Sequence, residues 1–444
     1  MDTNLTNKIS KVAFIGNYLP RQCGIATFTT DLCEAVNQEF DQLECVALAM
    51  NDTPEGYNYP ARVRFQIQQD DLNSYRDAAE FLNLNHFNMV CLQHEFGIYG
   101  GAAGGYIFTL LRELQIPVVT TLHTILKEPN DDQMRVMQEL AQLSDRLVVM
   151  SQRAVDFLTD IYGIDEEKID FIPHGIPDVP FIDPNFYKDK FNVEGKQVIL
   201  TFGLMSPNKG LENVIKALPE IVEKHPNVVY IVLGATHPHV KKTEGERYRN
   251  SLQQLAQDLG VTENVVFYDQ FVEQEELIEF IGAADIYITP YLNQAQITSG
   301  TLAYTVGSGK AVISTPYWHA QELLADGRGV LVPFADPQAI AEKTNELLDN
   351  EADRHAMRKR AYMLGREMVW PEVSRMYMES FEKALEGRML APRIAYWPNT
   401  NGEDPLQLLH ISLKHMDDLT DNVGMLQHSI FDLPDYREGY TTDD

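Results

Sequence analysis

What this chain lacks narrows its function first. It has no surplus of basic residues: 36 Lys and Arg stand against 65 Asp and Glu, a net charge of −29. Nucleic acid and anionic membrane surfaces reward a basic face, so neither is expected as a partner. A local pocket can still oppose the global sign and take a small anion. Cysteine is scarce: Cys23, Cys33, Cys45 and Cys91 all fall in the first hundred residues, with no tight pair and no His-rich neighbour. Reduced thiols in a cytoplasmic protein are the expectation. No apolar run approaches the ~18 residues of a bilayer-spanning helix. The start, "MDTNLTNKISKVAFIGNYLP", has neither a long apolar region nor a small-residue cleavage site, so it does not read as a signal peptide.

What is present is an ordinary globular composition, 44% hydrophobic and 23% charged over 444 residues, enough for two cores. Short runs rich in Val, Ile and Phe recur: "KVAFIG", "ECVALAM", "VRFQI", "MVCLQ", "PVVTTLH", "RLVVMS" and "IDFIP". Each is followed by a helical pattern such as "ATFTTDLCEAVNQEF". Continuous apolar strands alternating with helices predict a parallel sheet covered on both faces. The pattern then restarts with "QVILTFG", "VVYIVLGA", "NVVFYDQF", "DIYITPY", "AVIST" and "GVLVP". The fold class is therefore α/β, with two doubly wound units in tandem. The Pro-rich "IPHGIPDVPFIDPNFYKDKFNVEGK" reads as the linker between them. The expected organisation is an N-terminal domain over 1–180, a second over 181–370, a helix over 371–390 and an extension over 391–444. In "WPEVSRMYMESFEKALEG", Val373, Met376, Tyr377, Phe381 and Ala384 make one apolar stripe behind Pro371.

In open α/β sheets ligands sit at the carboxyl ends of strands, so the loops there carry the candidates. After the first strand, "GNYLPRQCGIATFTTDL" offers Gly16 and Gly24, with Thr27 as a helix cap and Arg21 as a solvated residue. It is either a phosphate loop or a tight strand-to-helix turn. "LQHEFGIYGGAAGGY" has five glycines behind His94 and Glu95. That pair suits acid–base work, a metal, or a hydrogen-bonded loop anchor, but no third metal ligand is spaced nearby. "TTLHT" places His123 at a strand end facing the cleft, while His174 in "IPHGI" reads as structural. In "TFGLMSPNKGLENVIKAL", Lys209 and Gly210 precede a helix, which outlines a phosphate site without the spacing of a Walker loop. The matching loop is "YLNQAQITSGTLAYTVG". Ser299, Gly300 and Thr301 begin its helix, with Gln296 and Tyr304 flanking.

Taken together, "RQCGIATFTTDL", "QHEFGIYGG", "TLHT", "SPNKGLENVIKALPEI", "ADIYITPY", "GSGKAVIST" and "WPEVSRMYMESFEKAL" make residues 10–388 resemble the retaining glycosyltransferases of family 4, with the GT-B fold. The resemblance implies two facing Rossmann-like domains and a last helix crossing back to the first. It implies a nucleotide-diphosphate sugar as co-substrate, with no metal and no other cofactor. Lys209 would contact the diphosphate. Backbone from Thr298 through Ser299 and Gly300 to Thr301 would hold phosphate and sugar. His123 would lie beside the transferred sugar, Glu95 near the substrate, and Gly24 and Ile25 would close on donor or acceptor.

Two departures stand out. Gly203-Leu204-Met205 lacks the family's arginine, and the two glutamates separated by seven residues are replaced by Gln296 and Tyr304. Gln296 can still hydrogen-bond sugar hydroxyls; Tyr304 is a poor grip for a ribose diol. The expected activity is transfer of a hexose to a sugar or glycan acceptor. A phosphorylase using a sugar 1-phosphate and a binding protein without turnover are the alternatives. The stretch "HMDDLTDNVGMLQHSIFDLPDYREGYTTDD" resembles the start of an (α/α) barrel domain found fused to or beside such enzymes. That neighbour favours mannose, and hence GDP-mannose, as the donor.

Overall fold

The computed structural model describes residues 9–390. The extension at 391–444 lies outside the described residues. Seven strands build the first sheet: β1 (Lys11–Gly16), β2 (Glu44–Asn51), β3 (Val63–Gln68), β4 (Met89–His94), β5 (Val118–Leu122), β6 (Arg146–Val149) and β7 (Ile169–Phe171). Their order is β3-β2-β1-β4-β5-β6-β7, all parallel. Six more build the second: β8 (Gln197–Phe202), β9 (Val228–Leu233), β10 (Val265–Tyr268), β11 (Ile286–Thr289), β12 (Ala311–Ser314) and β13 (Val330–Leu331). Their order is β10-β9-β8-β11-β12-β13, again parallel. The fold is GT-B: two Rossmann-like α/β domains.

Burial follows position in the sheet. The central strands β4, β5, β9, β11 and β12 are buried along their whole length, which is why they read as unbroken apolar runs. The edge strand β3 alternates in exposure instead, because only one of its sides is paired. In each sheet the order reverses at one point, between β1 and β4 and between β8 and β11. Loops leaving those strands diverge there and open a crevice at the carboxyl ends.

The segment read as a linker is not loose. Pro184–Phe186 and Lys188–Phe191 form short 3₁₀ turns. Lys188 is buried in an ion pair with Asp285 at 2.9 Å, and the Phe191 ring stacks on Phe280 with centroids 3.9 Å apart. These contacts dock the segment on the second sheet.

The helix Trp370–Leu390 packs on the first domain. Val373, Tyr377, Phe381 and Ala384 join a core with Phe14, Leu32 and Val36. Three polar groups fix its register. Tyr377 Oη lies 2.9 Å from Thr121 Oγ1, Ser380 Oγ donates to Asp170, and Lys383 pairs with Asp170 at 2.9 Å. Arg146 clamps the same carboxylate from two sides, at 2.8 and 2.6 Å. Burial pushes the Asp170 pKa up, but Arg146, Lys383 and Ser380 outweigh it and hold the carboxyl below its ordinary value.

Asp170→Ala strands Arg146 and releases the last helix. Breaking one side of a buried pair costs about 3 kcal/mol, read by urea denaturation. The folded pKa is lowered, so this stabilisation is present at neutral pH and is lost only as pH falls through the carboxylate range. An unchanged midpoint at pH 7 would contradict the clamp.

Candidate active site

The site is built where the β8 and β11 loops meet. Past β8, Gly203 takes φ +122° and Gly210 takes φ +63°, conformations that side chains resist. A Cβ on Gly210 would lie 2.4 Å from the Pro290 carbonyl oxygen, so the two loops touch directly. Leu292 N donates to Asn208 O across the same seam at 3.0 Å. Lys209 is held between them, its Nζ 3.7 Å from the Tyr291 ring centroid, a cation–π contact. Lys209 makes no ion pair among the described residues. Burial raises the Tyr291 pKa, yet the Lys209 ammonium and hydrogen bonds from neighbouring groups bring it below the usual phenol value.

From Tyr291 the network runs to the Gly300–Gly307 helix. Tyr291 Oη lies 3.1 Å from Thr301 Oγ1, which lies 3.2 Å from Ser299 Oγ. Ser299 is the N-cap, its hydroxyl accepting from Leu302 N. The first intrahelical bond runs from Ala303 N to Ser299 O, so the earlier N–H groups of Gly300 and Thr301 have no intrahelical acceptor and are open to an anion. The Thr298 carbonyl accepts from the Gln296 amide at 3.2 Å, which pins Gln296 beside the same turn. Below it, Ser299 N donates to His319 Nδ1 at 2.8 Å. His319 is buried and its pKa is pushed down to about 3, by burial first and His174 second.

The first domain supplies the opposite wall. The helix Gly24–Glu39 is capped by Cys23, whose thiol accepts from Ala26 N, and not by Thr27. Thr27 sits one turn inside and bonds back to the Cys23 carbonyl. Gly24 is exposed with open space at its Cβ position, while Ile25 is half-buried against the first core. Arg21 is not solvated: it pairs with Asp52 at 3.1 Å and donates to Asn17 at 2.8 Å, bracing the loop. Glu95 accepts from the Thr124 hydroxyl and from Phe96 N, and burial raises its pKa. His94 is fully buried and neither ring nitrogen has a partner. Burial drives its pKa to about 3, so it stays neutral.

His123 Nε2 lies 2.9 Å from Gln93 Oε1. The other end of the Gln93 amide faces Cys91 and Thr121, which assigns the proton to His123 Nε2 and a lone pair to Nδ1. Burial, then His174 and His94, push this imidazole down to about 3. It is a neutral hydrogen-bonding group, not an acid. Its ring meets the edge of Phe28 at 4.9 Å, and Phe28 meets His174 at 4.9 Å. A Cβ on Gly300 would lie 2.8 Å from His174 Nε2. Two ring contacts therefore connect His123 to the start of the Gly300 helix.

Tyr304 goes elsewhere. It is buried, and its hydroxyl donates to Asp31 of the first domain at 2.8 Å, with Gln274 donating to Tyr304 Oη at 3.2 Å. Burial raises the Asp31 pKa to about 6, although the Tyr304 bond opposes the shift. A second contact crosses the domains. Both Glu322 oxygens accept from the first turn of the Gln152–Asp160 helix, from Gln152 N at 2.8 Å and Arg153 N at 2.9 Å. The Trp318 edge packs on Phe157 beside it. Asp31, Tyr291, His319 and Glu322 were not singled out from the sequence. Only Tyr291, between "TP" and the polar loop, sat where a strand-end rule could have found it.

A parallel-stranded crevice with a lysine that makes no ion pair among the described residues and an open helix start suits a phosphorylated ligand, and its two-domain frame is that of the GT-B fold. Residues 23–178 match the family model described as Glycosyltransferase Family 4, and residues 183–363 match that described as Glycosyl transferases group 1. The chain is thus a glycosyltransferase assembled from these two domains. A D-inositol 3-phosphate glycosyltransferase of Corynebacterium efficiens is 27% identical over 310 residues, 64% of this chain and 70% of the relative. Spore coat protein SA of Bacillus subtilis is 23% identical over 201 residues, 44% of this chain and 51% of that one. Two solved structures share the fold. Sucrose-phosphate synthase from Thermosynechococcus elongatus has TM-score 0.67 at 15% identity, over 86% of this chain and 100% of that one. Anabaena HepE in complex with UDP and glucose has TM-score 0.65 at 17% identity, over 83% and 98%. No helix among the described residues is long and apolar enough to cross a membrane.

His319→Gln keeps an acceptor for Ser299 N and removes one depressed imidazole. The folded pKa lies below the unfolded one, so the histidine's contribution is complete above about pH 6.5 and is lost as pH falls. The stability difference between wild type and variant should shrink by about 2 kcal/mol from pH 7 to pH 5 in urea titrations. A difference that does not change with pH would contradict the neutral, buried assignment.

Proposed function

We propose that the chain transfers a hexose from a nucleotide-diphosphate sugar to a sugar or glycan acceptor, with retention at the anomeric carbon. The observation that carries this is Lys209, an ammonium that makes no ion pair among the described residues and lies over Tyr291, whose hydroxyl reaches Thr301 at the open start of the Gly300 helix. Charge develops on the leaving diphosphate as its bond to the anomeric carbon breaks. Fixed cations and oriented N–H groups stabilise that charge without reorganising. The acceptor oxygen bonds to the anomeric carbon on the face the diphosphate leaves, and its proton passes to a departing phosphate oxygen. His123, neutral, offers Nδ1 as an acceptor for a sugar hydroxyl. Gln296 and the Thr298–Thr301 turn are placed to orient the sugar. Positioning and electrostatics supply the rate, with no covalent nucleophile.

A UDP-bearing neighbour supports nucleotide-sugar chemistry in this frame. Mannose, carried as GDP-mannose, rests on the sequence of the extension beyond residue 390. One observation favours a second reading, a phosphorylase that uses a sugar 1-phosphate. Tyr304, which stands where the family resemblance puts a ribose-binding carboxylate, is engaged by Asp31 in this structure. Release of free nucleoside diphosphate during turnover supports the transferase; sugar 1-phosphate formed only with inorganic phosphate supports the phosphorylase.

Lys209→Ala should lower kcat about 10²–10³-fold under either reading, while stability changes by less than about 0.5 kcal/mol. The variant is assayed beside a denaturation curve. Full activity with an unchanged curve would remove Lys209 from the mechanism.

A further inference from the structure

The docked segment 181–185 walls an open cavity of about 280 Å³ on the second domain. Asp285, which lines it, immediately precedes β11, so the cavity lies at the amino ends of the strands, away from the cleft. Phe181, Asp183, Asn185, Arg354, His355 and Arg358 supply its chemistry. Its volume is close to the lower bound for small-molecule sites.

Arg358 is only 6% exposed and makes no ion pair among the described residues. Its Nε donates to Gly309 O at 2.9 Å and its Nη2 to Ile182 O at 2.5 Å, leaving Nη1 uncommitted. The guanidinium lies 4.8 Å from the Phe181 centroid. Arg354 donates only to Leu347 O and Leu348 O at the end of the preceding helix, and it too lacks an ion pair. Burial lowers the Arg358 pKa and the charges of Asp183 and Asp285 oppose that shift without a direct ion pair, while the half-exposed Arg354 shares the same concavity in a chain of net charge −29. The carboxylates are placed differently. Asp285 is already paired with Lys188, Asp183 accepts from Asn185 N at 2.8 Å through Oδ1, and Glu351 stands at the wall without an ion pair among the described residues.

We propose that this cavity is a second binding site, for a small sugar phosphate. The phosphate would take the Arg354 and Arg358 guanidiniums, which match its geometry. Asp183, Asn185 and Glu351 would read the hydroxyls. Because one wall is the segment that joins the two domains, occupancy stiffens that joint and links the ligand to domain movement. The site shares no residue with the cleft, so it stands or falls apart from the proposed activity.

The test is calorimetric titration with glucose 6-phosphate, inorganic phosphate and glucose, on wild type, Arg354→Gln, Asp183→Asn and Lys209→Ala. Arg354 is half-exposed, so its loss leaves the fold in place, which circular dichroism checks. Glucose 6-phosphate should bind wild type and Lys209→Ala alike, and about tenfold more weakly in Arg354→Gln. Inorganic phosphate should share the Arg354 dependence but not respond to Asp183→Asn. Three results overturn the proposal: no saturable binding by either phosphate probe, binding lost in Lys209→Ala, or binding indifferent to Arg354→Gln.

Discussion

The structure depends on one close approach, between the loop that leaves β8 and the loop that leaves β11. Two parallel strands side by side send their loops apart, and only backbone without a Cβ lets the loops meet again. Gly210 sits against the Pro290 carbonyl, and on the other flank the β8 loop meets the loop after β9, where a Cβ on Gly234 would lie 2.0 Å from the Gly203 carbonyl oxygen. The Gly210–Pro290 contact sets Lys209 over Tyr291, whose hydroxyl reaches Thr301 at the start of the Gly300 helix. Lys209 makes no ion pair among the described residues, and the nearby Glu212 is engaged by the Tyr248 hydroxyl. In a chain so acidic, a cation without an ion pair is a local inversion of sign, the kind of field that attracts an anion.

The opposite wall and the turn below Ser299 hold histidines that stay uncharged. His94, His123, His174 and His319 are all buried enough to remain neutral at physiological pH, with pKa values pushed down to about 3 or 4. His123, His174 and His319 give directional hydrogen bonds and His94 gives ring contacts, all without adding charge. Two polar contacts, Asp31 with Tyr304 and Glu322 with the Gln152 helix, bring this wall to the other. Both contacts satisfy polar groups of one domain with groups of the other. Excluded water strengthens every electrostatic contact inside.

The fold was legible because parallel strands buried on both faces leave apolar runs that little else produces. The turn around Ser299, Gly300 and Thr301 was legible for a related reason: a hydroxyl followed by small residues after a buried strand marks a capped helix start. Local chemistry was less so. Cys23 takes the cap from Thr27 because its extended backbone sits at the helix entry, and thiols are weak enough acceptors that sequence rules pass over them. Arg21 looked solvated because its partner Asp52 arrives from another strand. The interdomain contacts were out of reach. Asp31 and Tyr304 are 273 residues apart, and Glu322 and Gln152 are 170 apart. Periodicity carries no information over that separation. For Tyr304 the sequence showed only that a carboxylate was missing, not that the hydroxyl would turn to the other domain.

The most direct measurement is a crystal structure of the chain soaked with a nucleoside diphosphate and, separately, with a sugar 1-phosphate. The account predicts phosphate density within hydrogen-bonding distance of Lys209 Nζ and of the Gly300 and Thr301 N–H groups in at least one soak. Phosphate ordered elsewhere in the cleft, with Lys209 still lying on Tyr291 and the Gly300 helix start untouched, would contradict it.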